Sequence, residues 1–430
     1  MFIGILGLAL MTFSPCASIA LTLEECVELA LKNNPDLQKQ QMNQQYAHSD
    51  LAEKKSQSFG RIDAVASYTH YNLPRTLVPM TPAVILVDPM AVATTEDLFV
   101  TGVMYEVALF TGFAQKRTIE IAALQKEMAG AALKLGREQL IYNVKTLYVN
   151  ILSLQTQEEA QIAYIKALQQ LYNDIIHELQ LGKRARIDQL KAAADLENAR
   201  AQKAQISSSL TIVKATLATL MNVDLLADFQ NIPIHIEPLE TGESGYGEQI
   251  RELQRYRLAQ LEIEKSEKLI EKSNAALYPQ VFFNAFYGQN FGPNDGSNPN
   301  KDDWQNKEVW QAGLNLKWNI FDFGERSSNR QKANIAKQQS LQDRLKTELE
   351  LKRALIEAVT KIDTAIIEYN SAKAELAMTR ETENIEQVRF NMGAGDLNDL
   401  LQAKARNQLA LSRSINTGYS YKNARFYLDY

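Results

Sequence analysis

The chain has 430 residues, of which 45% are apolar and 23% are charged, and its formal net charge is −5 at pH 7. This composition is ordinary for a folded protein and excludes extensive disorder. The acidic balance, together with the lack of a basic stripe interleaved with aromatics, argues against a nucleic-acid partner.

Residues 1–20 have the pattern of a secretory signal peptide. The stretch 2–11 is apolar and uncharged, and the small residues Ser18 and Ala20 stand at the −3 and −1 positions of a cleavage site. No later stretch reaches about 18 consecutive apolar residues, so the sequence predicts no membrane-spanning helix. We therefore expect a secreted chain whose mature form starts at residue 21.

Two shorter helices are predicted over residues 21–60. Thr22 and Glu25 have the spacing of a capping box at the start of the first helix, and Pro35 separates the two. The counterpart in the second half of the chain is a polar helix within 248–278. The segment 222–247, which carries prolines and glycines, is interpreted as a linker between the halves.

Strands are predicted in two pairs, within residues 61–110 and 279–322. The last strand places Trp310 and Trp318 near the two ends of an apolar face, with a mostly polar face opposite. The eight-residue step between the tryptophans spans about 26 Å of strand, or about 20 Å of bilayer at a ~40° tilt. This pattern is typical of an outer-membrane barrel with aromatic girdles, although a half-buried strand of a soluble sheet shows it as well.

Two tracts without proline predict two long helical hairpins, over 111–221 and 323–430. The first helix of each hairpin runs for about 70 residues, or roughly 100 Å at 1.5 Å per residue. A stripe of apolar residues with 4-3-4-3 spacing is typical of a coiled coil; it comprises Leu140, Val144, Leu147, Ile151 and Leu154. Helices of this length suit a conduit across a wide compartment better than a compact globule.

The two halves repeat one pattern at a constant offset. Four residues of the first half have the same residue type 211 positions later. The pairs are Phe110 and Phe321, Gly182 and Gly393, Asp188 and Asp399, and Leu190 and Leu401. Similar helix composition does not explain a constant spacing of strand end, glycine, aspartate and leucine. The sequence therefore predicts a duplicated unit of strands, long helix, reversal and second long helix.

Four strands cannot close a membrane barrel, and an open sheet edge is not tolerated in lipid. The smallest membrane barrels need about eight strands, so strands must be pooled between subunits. We expect a mainly α fold with a small membrane β-barrel, in which four strands per chain are completed to roughly twelve in a homotrimer. The coiled-coil hairpins would continue this barrel as a hollow α-barrel tunnel.

Several short motifs, in order along the chain, resemble the TolC-like outer-membrane efflux proteins. They are Leu21-Thr22-Leu23-Glu24-Glu25, Ala30-Leu31-x-x-Asn34-Pro35, Leu277-Tyr278-Pro279-Gln280, Trp318-x-x-Phe321-Asp322-x-Gly324, and Arg389-Phe390-x-x-Gly393 followed by Asp399-Leu400-Leu401-x-Ala403. The resemblance covers essentially the whole mature chain. It implies a trimeric channel in the outer membrane of a Gram-negative-type bacterium, with a large periplasmic portion. It further implies docking to a periplasmic adaptor (membrane fusion) protein and an inner-membrane transporter, in a tripartite efflux pump or a type I secretion system.

The resemblance also implies roles for the two reversals between long helices, which form the periplasmic entrance in that family. The implied gate residues are Asp188, Asp396, Asp399, Gln402, Arg184 and Arg186. Three copies of Asp399 would form an acidic constriction. The family's second acidic position falls on Gln402 and its gate arginine on Gly395, so basic partners are expected from Arg184 and Arg186. The same reversals would contact the adaptor through Gly182, Leu190, Gly393 and Leu401, although simple turn packing explains these four residues equally well. For the gate, the alternative is helix capping alone, because the glycines suit a positive φ at a helix C-terminus and Asp188 and Asp399 suit the start of the next helix.

No catalytic or metal-binding constellation is visible in the sequence. The four histidines are scattered, and Cys26 is the single cysteine of the mature chain. We therefore expect neither an enzyme nor a cofactor. The alternative function is a secreted, soluble coiled-coil adaptor or scaffold of the periplasm, which would explain the long helices but not the apolar strand face.

Overall fold

The structure is a computed structural model that describes residues 20–80, 82–87, 92–224, 229–237, 249–295 and 303–430. The predicted signal peptide lies outside these ranges except for Ala20. Parts of the predicted linker and of both inter-strand loops also lie outside them. Structural statements below refer to the described residues.

Eight α-helices and four β-strands are formed within the described ranges. The helices are α1 (Leu23–Asn33), α2 (Pro35–Ser56), α3 (Pro82–Val87), α4 (Ala114–Gln180), α5 (Arg186–Met221), α6 (Gln254–Asn274), α7 (Glu325–Asn391) and α8 (Leu397–Asp429). The strands are β1 (Arg61–Thr76), β2 (Thr94–Phe110), β3 (Gln280–Pro293) and β4 (Trp304–Lys317). Among these helices, none combines the length and the apolarity required to cross a bilayer.

The helix predictions are confirmed. Helices α4 and α7 each contain 67 residues, close to the predicted length. The capping box at α1 is present, because the Glu25 amide donates to Thr22 Oγ1 at 3.2 Å and the Thr22 amide donates to Glu25 Oε2 at 2.8 Å. Two of the four free amides at the helix start are thereby satisfied.

The four strands form one antiparallel sheet in the order β1-β2-β3-β4. Strands β2 and β3 pair in the centre, so the sheet joins the two halves of the sequence repeat. The second strand pair was predicted within 279–322, and its last strand ends at Lys317, whose partner is Gln280. Pro279 precedes Gln280 and has no amide hydrogen, so β3 offers β4 no further ladder partner. Strands β1 and β4 are the outer strands of the sheet in the described part of the chain.

The chain divides into two compact units. The first consists of Met1–Gln41, Leu133–Leu253 and Glu348–Tyr430; the second consists of Met42–Ala132 and Gln254–Thr347. The sheet belongs to the second unit, and both reversals between long helices belong to the first.

The first unit is built on two apolar clusters. One cluster packs α1 against α4, α5 and α8 around the fully buried Val144, Tyr148 and Ile151. Two of these residues belong to the predicted coiled-coil stripe. The second cluster lies between the ends of α4 and α7 and the starts of α5 and α8, and Leu397 and Leu400 are fully buried in it. The stripe therefore marks a helix-packing seam, as the spacing predicted.

Candidate functional site

The sheet has one strongly apolar face. Because side chains alternate along a strand, the register places Ile62 and Tyr68 of β1, Val103 of β2, and Tyr287 of β3 on the same face as Trp310 of β4. This apolar face is largely exposed: Trp310 is 73% exposed, Leu314 67% and Leu316 68%. A continuous exposed apolar surface of this kind marks contact with a partner or with lipid.

Aromatic rings collect at both ends of the apolar face. At one end, rings from all four strands are in contact, with centroid distances of 4.8 Å for Tyr68–Phe99, 5.3 Å for Phe99–Phe291 and 5.5 Å for Phe99–Trp304. At the other end, where strands pass into helices, Phe113 contacts Phe110 at 5.4 Å and Tyr278 at 6.1 Å, and Phe321 contacts Phe323 at 4.7 Å. From Phe99 to Phe110 the strand covers about 37 Å, or roughly 28 Å at a ~40° tilt.

Of the two tryptophans chosen from sequence, Trp310 lies between the two aromatic ends and Trp318 lies at the end where strands pass into helices. Trp310 is paired with Tyr287 part way along the sheet, and Trp318 follows the end of β4 and donates to the Leu277 carbonyl oxygen at 3.3 Å. The ring cluster that includes Trp304 was missed because its four members are distant in sequence. The signal that could have found it is the recurrence of an aromatic near each loop-side strand end.

The opposite face of the sheet is polar. It carries Arg61 and Asp63 of β1, Glu106 of β2 and amide side chains of β3 and β4 such as Asn284 and Gln311. Arg61 bridges two carboxylates, through Nη2 to Glu106 at 2.8 Å and through Nε to Asp63 at 3.0 Å. The predicted division of β4 into an apolar and a more polar face thus extends to its neighbours, although β2 and β3 also place apolar side chains such as Met104 and Phe286 on the polar face.

The two reversals have the same backbone. Gly182 and Gly393 both adopt positive φ, +74° and +76°. At each glycine the helix ends with a Schellman pair of hydrogen bonds: Lys183 N donates to Glu178 O and Gly182 N to Leu179 O; Ala394 N donates to Arg389 O and Gly393 N to Phe390 O. This motif satisfies carbonyls that the helix end leaves free and favours glycine at the left-handed position. Helix capping by the two glycines is confirmed, and their contact with an adaptor stays a prediction.

Asp188 and Asp399 lie in the first turn of α5 and α8 and do not cap these helices. The N-cap residues are Ala185 and Asp396, and neither makes a side-chain capping hydrogen bond within the described structure. A carboxylate in the first turn is still favoured by the positive end of the helix dipole. Asp399 and Gln402 are exposed, whereas Asp188 is half-buried. In the described part of this chain, neither aspartate forms an ion pair.

Arg184 joins the first reversal to the second. Its Nε lies 2.7 Å from Glu178 Oε2, and its guanidinium carbon lies 4.2 Å from the centroid of the Phe390 ring. The guanidinium is therefore held by an ion pair and a cation–π contact within one chain rather than by Asp188 or Asp399. Arg186 is exposed.

The proposed docking leucines are not equivalent in the structure. Leu190 is 56% exposed, together with its neighbours Leu181 (56%) and Ile187 (55%). Leu401 is only 5% exposed and belongs to the apolar cluster between the helices. The expectation of a surface role for the Leu401 side chain is therefore corrected: the packing of α8 against α4, α5 and α7 turns this residue inward.

A partly buried polar cluster lies near the second reversal, and it was not predicted from the sequence. Lys404 Nζ lies 3.0 Å from Glu383 Oε1, and the Asn407 amide donates to Glu383 Oε2 at 2.5 Å. Nearby, burial raises the pKa of Tyr164 to about 12, with smaller contributions from Asp195 and Glu383. Burial also raises the pKa of Asp195 above its ordinary value. Each of the four long helices of this unit thus contributes a polar group.

Comparisons with known proteins agree with this geometry. A family model described as "Outer membrane efflux protein" matches residues 26–223 and 255–429. No match was found among curated proteins.

Similar solved structures share the fold at low sequence identity. The Campylobacter jejuni CmeC outer membrane channel has a TM-score of 0.80 at 19% identity, with 94% of this chain and 84% of that chain covered. A membrane protein from Pseudomonas aeruginosa has a TM-score of 0.79 at 17% identity, covering 94% and 92%. The outer membrane protein VceC from Vibrio cholerae has a TM-score of 0.76 at 16% identity, covering 94% of each chain. These structures confirm the expected fold class.

Proposed function

Because the chain belongs to the outer membrane efflux protein family, we propose that three copies assemble into the exit duct of a tripartite efflux pump or a type I secretion system. As a member of this family, the chain is an outer-membrane transport channel and not an enzyme. The substrate would be delivered by an inner-membrane transporter through a periplasmic adaptor.

The proposed trimer is supported by the sheet. The sheet has an exposed apolar face, and its outer strands, β1 and β4, have no further strand beside them in the described structure. In lipid, free strand edges leave backbone donors and acceptors unsatisfied, which costs several kcal/mol for each group. Pairing β4 of one copy with β1 of the next removes these edges. The apolar face would then contact lipid, and the polar face would line the lumen.

The trimer is tested by fractionation and cross-linking of the full chain in cells. We expect the protein to remain in the outer-membrane fraction until detergent is added, and cysteines placed in β1 and β4 to form disulfide-linked species up to a trimer. Release by osmotic shock as a water-soluble monomer would contradict the proposal and favour the adaptor or scaffold function instead.

The reversals are proposed as the entrance and the adaptor contact. Exposed apolar residues surround the first reversal, including Leu190, and Met392 beside the second reversal is 78% exposed. With Gly182 and Gly393, they allow close approach of another helix. We expect Leu190→Asp to reduce efflux in cells without removing the channel from the membrane. Leu409→Asp, at a side chain 66% exposed on α8, is the control.

Asp399 is proposed as the acidic group of the entrance, because it is exposed at the start of α8. Charge reversal by Asp399→Lys should lower the preference of the channel for cations in planar-bilayer conductance. Asp36→Lys changes another exposed first-turn aspartate, on α2, and serves as the control. Unchanged ion selectivity in the Asp399 variant would remove this residue from the entrance.

A further inference from the structure

Two aromatic rings of β3, Phe282 and Phe286, lie on the polar face of the sheet among charged and amide side chains. Phe286 of β3 pairs with Met104 of β2 and Gln311 of β4, and these three residues share the polar face. The adjacent row across the four strands holds only uncharged residues on this face: Val65, Gly102, Gly288 and Val309. The polar face therefore contains an apolar patch at mid-height.

The ring of Phe286 lies directly against two glycines. A Cβ atom on Gly102 would come within 2.7 Å of Phe286 Cε2, and one on Gly288 would come within 2.7 Å of Phe286 Cζ. Each would also lie 2.8 Å from the other glycine's Cα. These separations are too short for any side chain, so the glycines leave the space that the ring occupies. The ring is half-buried and keeps an exposed part on the polar face.

We call Phe286, Met104, Gly102 and Gly288 the Phe286 platform. An aromatic ring and a polarisable thioether at paired positions of neighbouring strands favour contact with another flat, polarisable group. The ring face also attracts a cation through its quadrupole. Such a surface is chemically suited to planar aromatic solutes, including those that carry a positive charge.

The charges around the platform are complementary to a cation. Asp63 is in the same row as Met104 and Phe286, so it lies about 10 Å from Phe286 at ~4.8 Å per strand. Asp63 and Glu106 share the single guanidinium of Arg61, which leaves one net negative charge. The lysines of this face, Lys307 and Lys317, are respectively about 13 and 20 Å along β4 from Gln311.

From this arrangement we propose that the Phe286 platform is a contact site for planar aromatic cations on their way through the channel. The ring system stacks on Phe286 and Met104, and the positive charge is directed toward Asp63 and Glu106. The inference rests on the proposed function, because the polar face must line the lumen. It adds a solute class and a location to that function.

The test is block of single-channel current by ethidium, a planar aromatic monovalent cation, in the purified channel reconstituted in planar bilayers. Phe286→Leu keeps the apolar volume but removes the ring, and it should raise the half-blocking ethidium concentration about five- to tenfold. Phe286→Tyr should retain the block. Tetraethylammonium, with the same charge but no ring system, should be unaffected by Phe286→Leu.

Two further variants separate the platform from general effects on the sheet. Phe283→Leu changes the same residue type in the same strand on the apolar face and should leave the ethidium block unchanged. Asp63→Asn should weaken the ethidium block about threefold through charge alone, which tests the site even where a Phe286 variant folds poorly. If the wild-type channel conducts and is blocked by ethidium, but neither Phe286→Leu nor Asp63→Asn alters that block, the Phe286 platform is overturned and the proposed function is not. Failure of the wild-type chain to form any pore would overturn the proposed function as well.

Discussion

The two reversals between long helices share a backbone but differ in their surroundings. Both end the preceding helix with a glycine at positive φ and the same Schellman hydrogen bonds, and both place an aspartate in the next first turn. The first reversal then exposes Leu190, whereas the second buries the equivalent Leu401. A duplicated local motif therefore fixes a turn, while long-range packing decides which of its side chains remain available for a partner.

The largest expected effect is the unequal cost of truncating the two equivalent leucines. Leu401→Ala should lower the free energy of unfolding by about 3 kcal/mol, because it leaves a cavity among α4, α5, α7 and α8. Leu190→Ala should change it by less than about 0.5 kcal/mol. The measurement is the urea midpoint of the detergent-solubilised protein, followed by circular dichroism at 222 nm. Equal losses for both variants would show that the reversals are packed alike.

A somewhat smaller effect is expected for the ion pair beneath the second reversal. Lys404→Ala leaves Glu383 without its cation in a position where the two side chains are 9% and 23% exposed. We expect a loss of about 2 kcal/mol, below the usual cost of breaking a fully buried pair because Glu383 retains some solvent. Arg413→Ala, on the same pair of helices, breaks a bridge whose side chains are 53% and 44% exposed and should cost less than about 1 kcal/mol.

The double variant Lys404→Met/Glu383→Gln is the control for this pair. It removes both charges together and should recover part of the loss, again measured by the urea midpoint. A double variant as unstable as Lys404→Ala would mean that packing of the lysine stem, and not an unpaired carboxylate, sets the cost.

The smallest expected effect is a pH dependence that distinguishes two aspartates on α5. Burial raises the pKa of Asp195, so the folded state holds this proton more tightly than the unfolded state. Stability contributed by the protonated group is therefore lost as pH rises from the ordinary carboxyl pKa, about 4, through the raised value. Asp195→Asn should be slightly more stable than wild type at neutral pH and less dependent on pH in this window.

Asp188→Asn is the matched comparison for Asp195→Asn. Asp188 lies in the first turn of α5, where its charge is favoured by the helix dipole, so its removal should destabilise by roughly 0.3–1 kcal/mol. Thermal unfolding at several pH values measures both variants. Destabilisation by both at neutral pH would contradict the assignment of an unfavourable buried charge to Asp195.

The local features of this chain follow from sequence because each depends on neighbouring residues. The two helices of 67 residues were predicted from the absence of proline, and the capping box at Thr22 from a three-residue spacing. The conformations of Gly182 and Gly393 were predicted from their place between helical segments. The apolar face of β4 was predicted from alternation, since every second side chain of a strand lies on one face. In each case the determining interactions span only a few residues.

The remaining features required the tertiary structure. Leu401 is buried, Arg184 contacts Phe390, and Lys404 pairs with Glu383, because distant helix segments pack against one another. The aromatic cluster of Tyr68, Phe99, Phe291 and Trp304 and the Phe286 platform both depend on the register of four strands. A shift of one residue in that register would move every side chain of a strand to the other face. By itself, the sequence determined which elements form and where they turn. Only the packing of these elements decided which side chains meet.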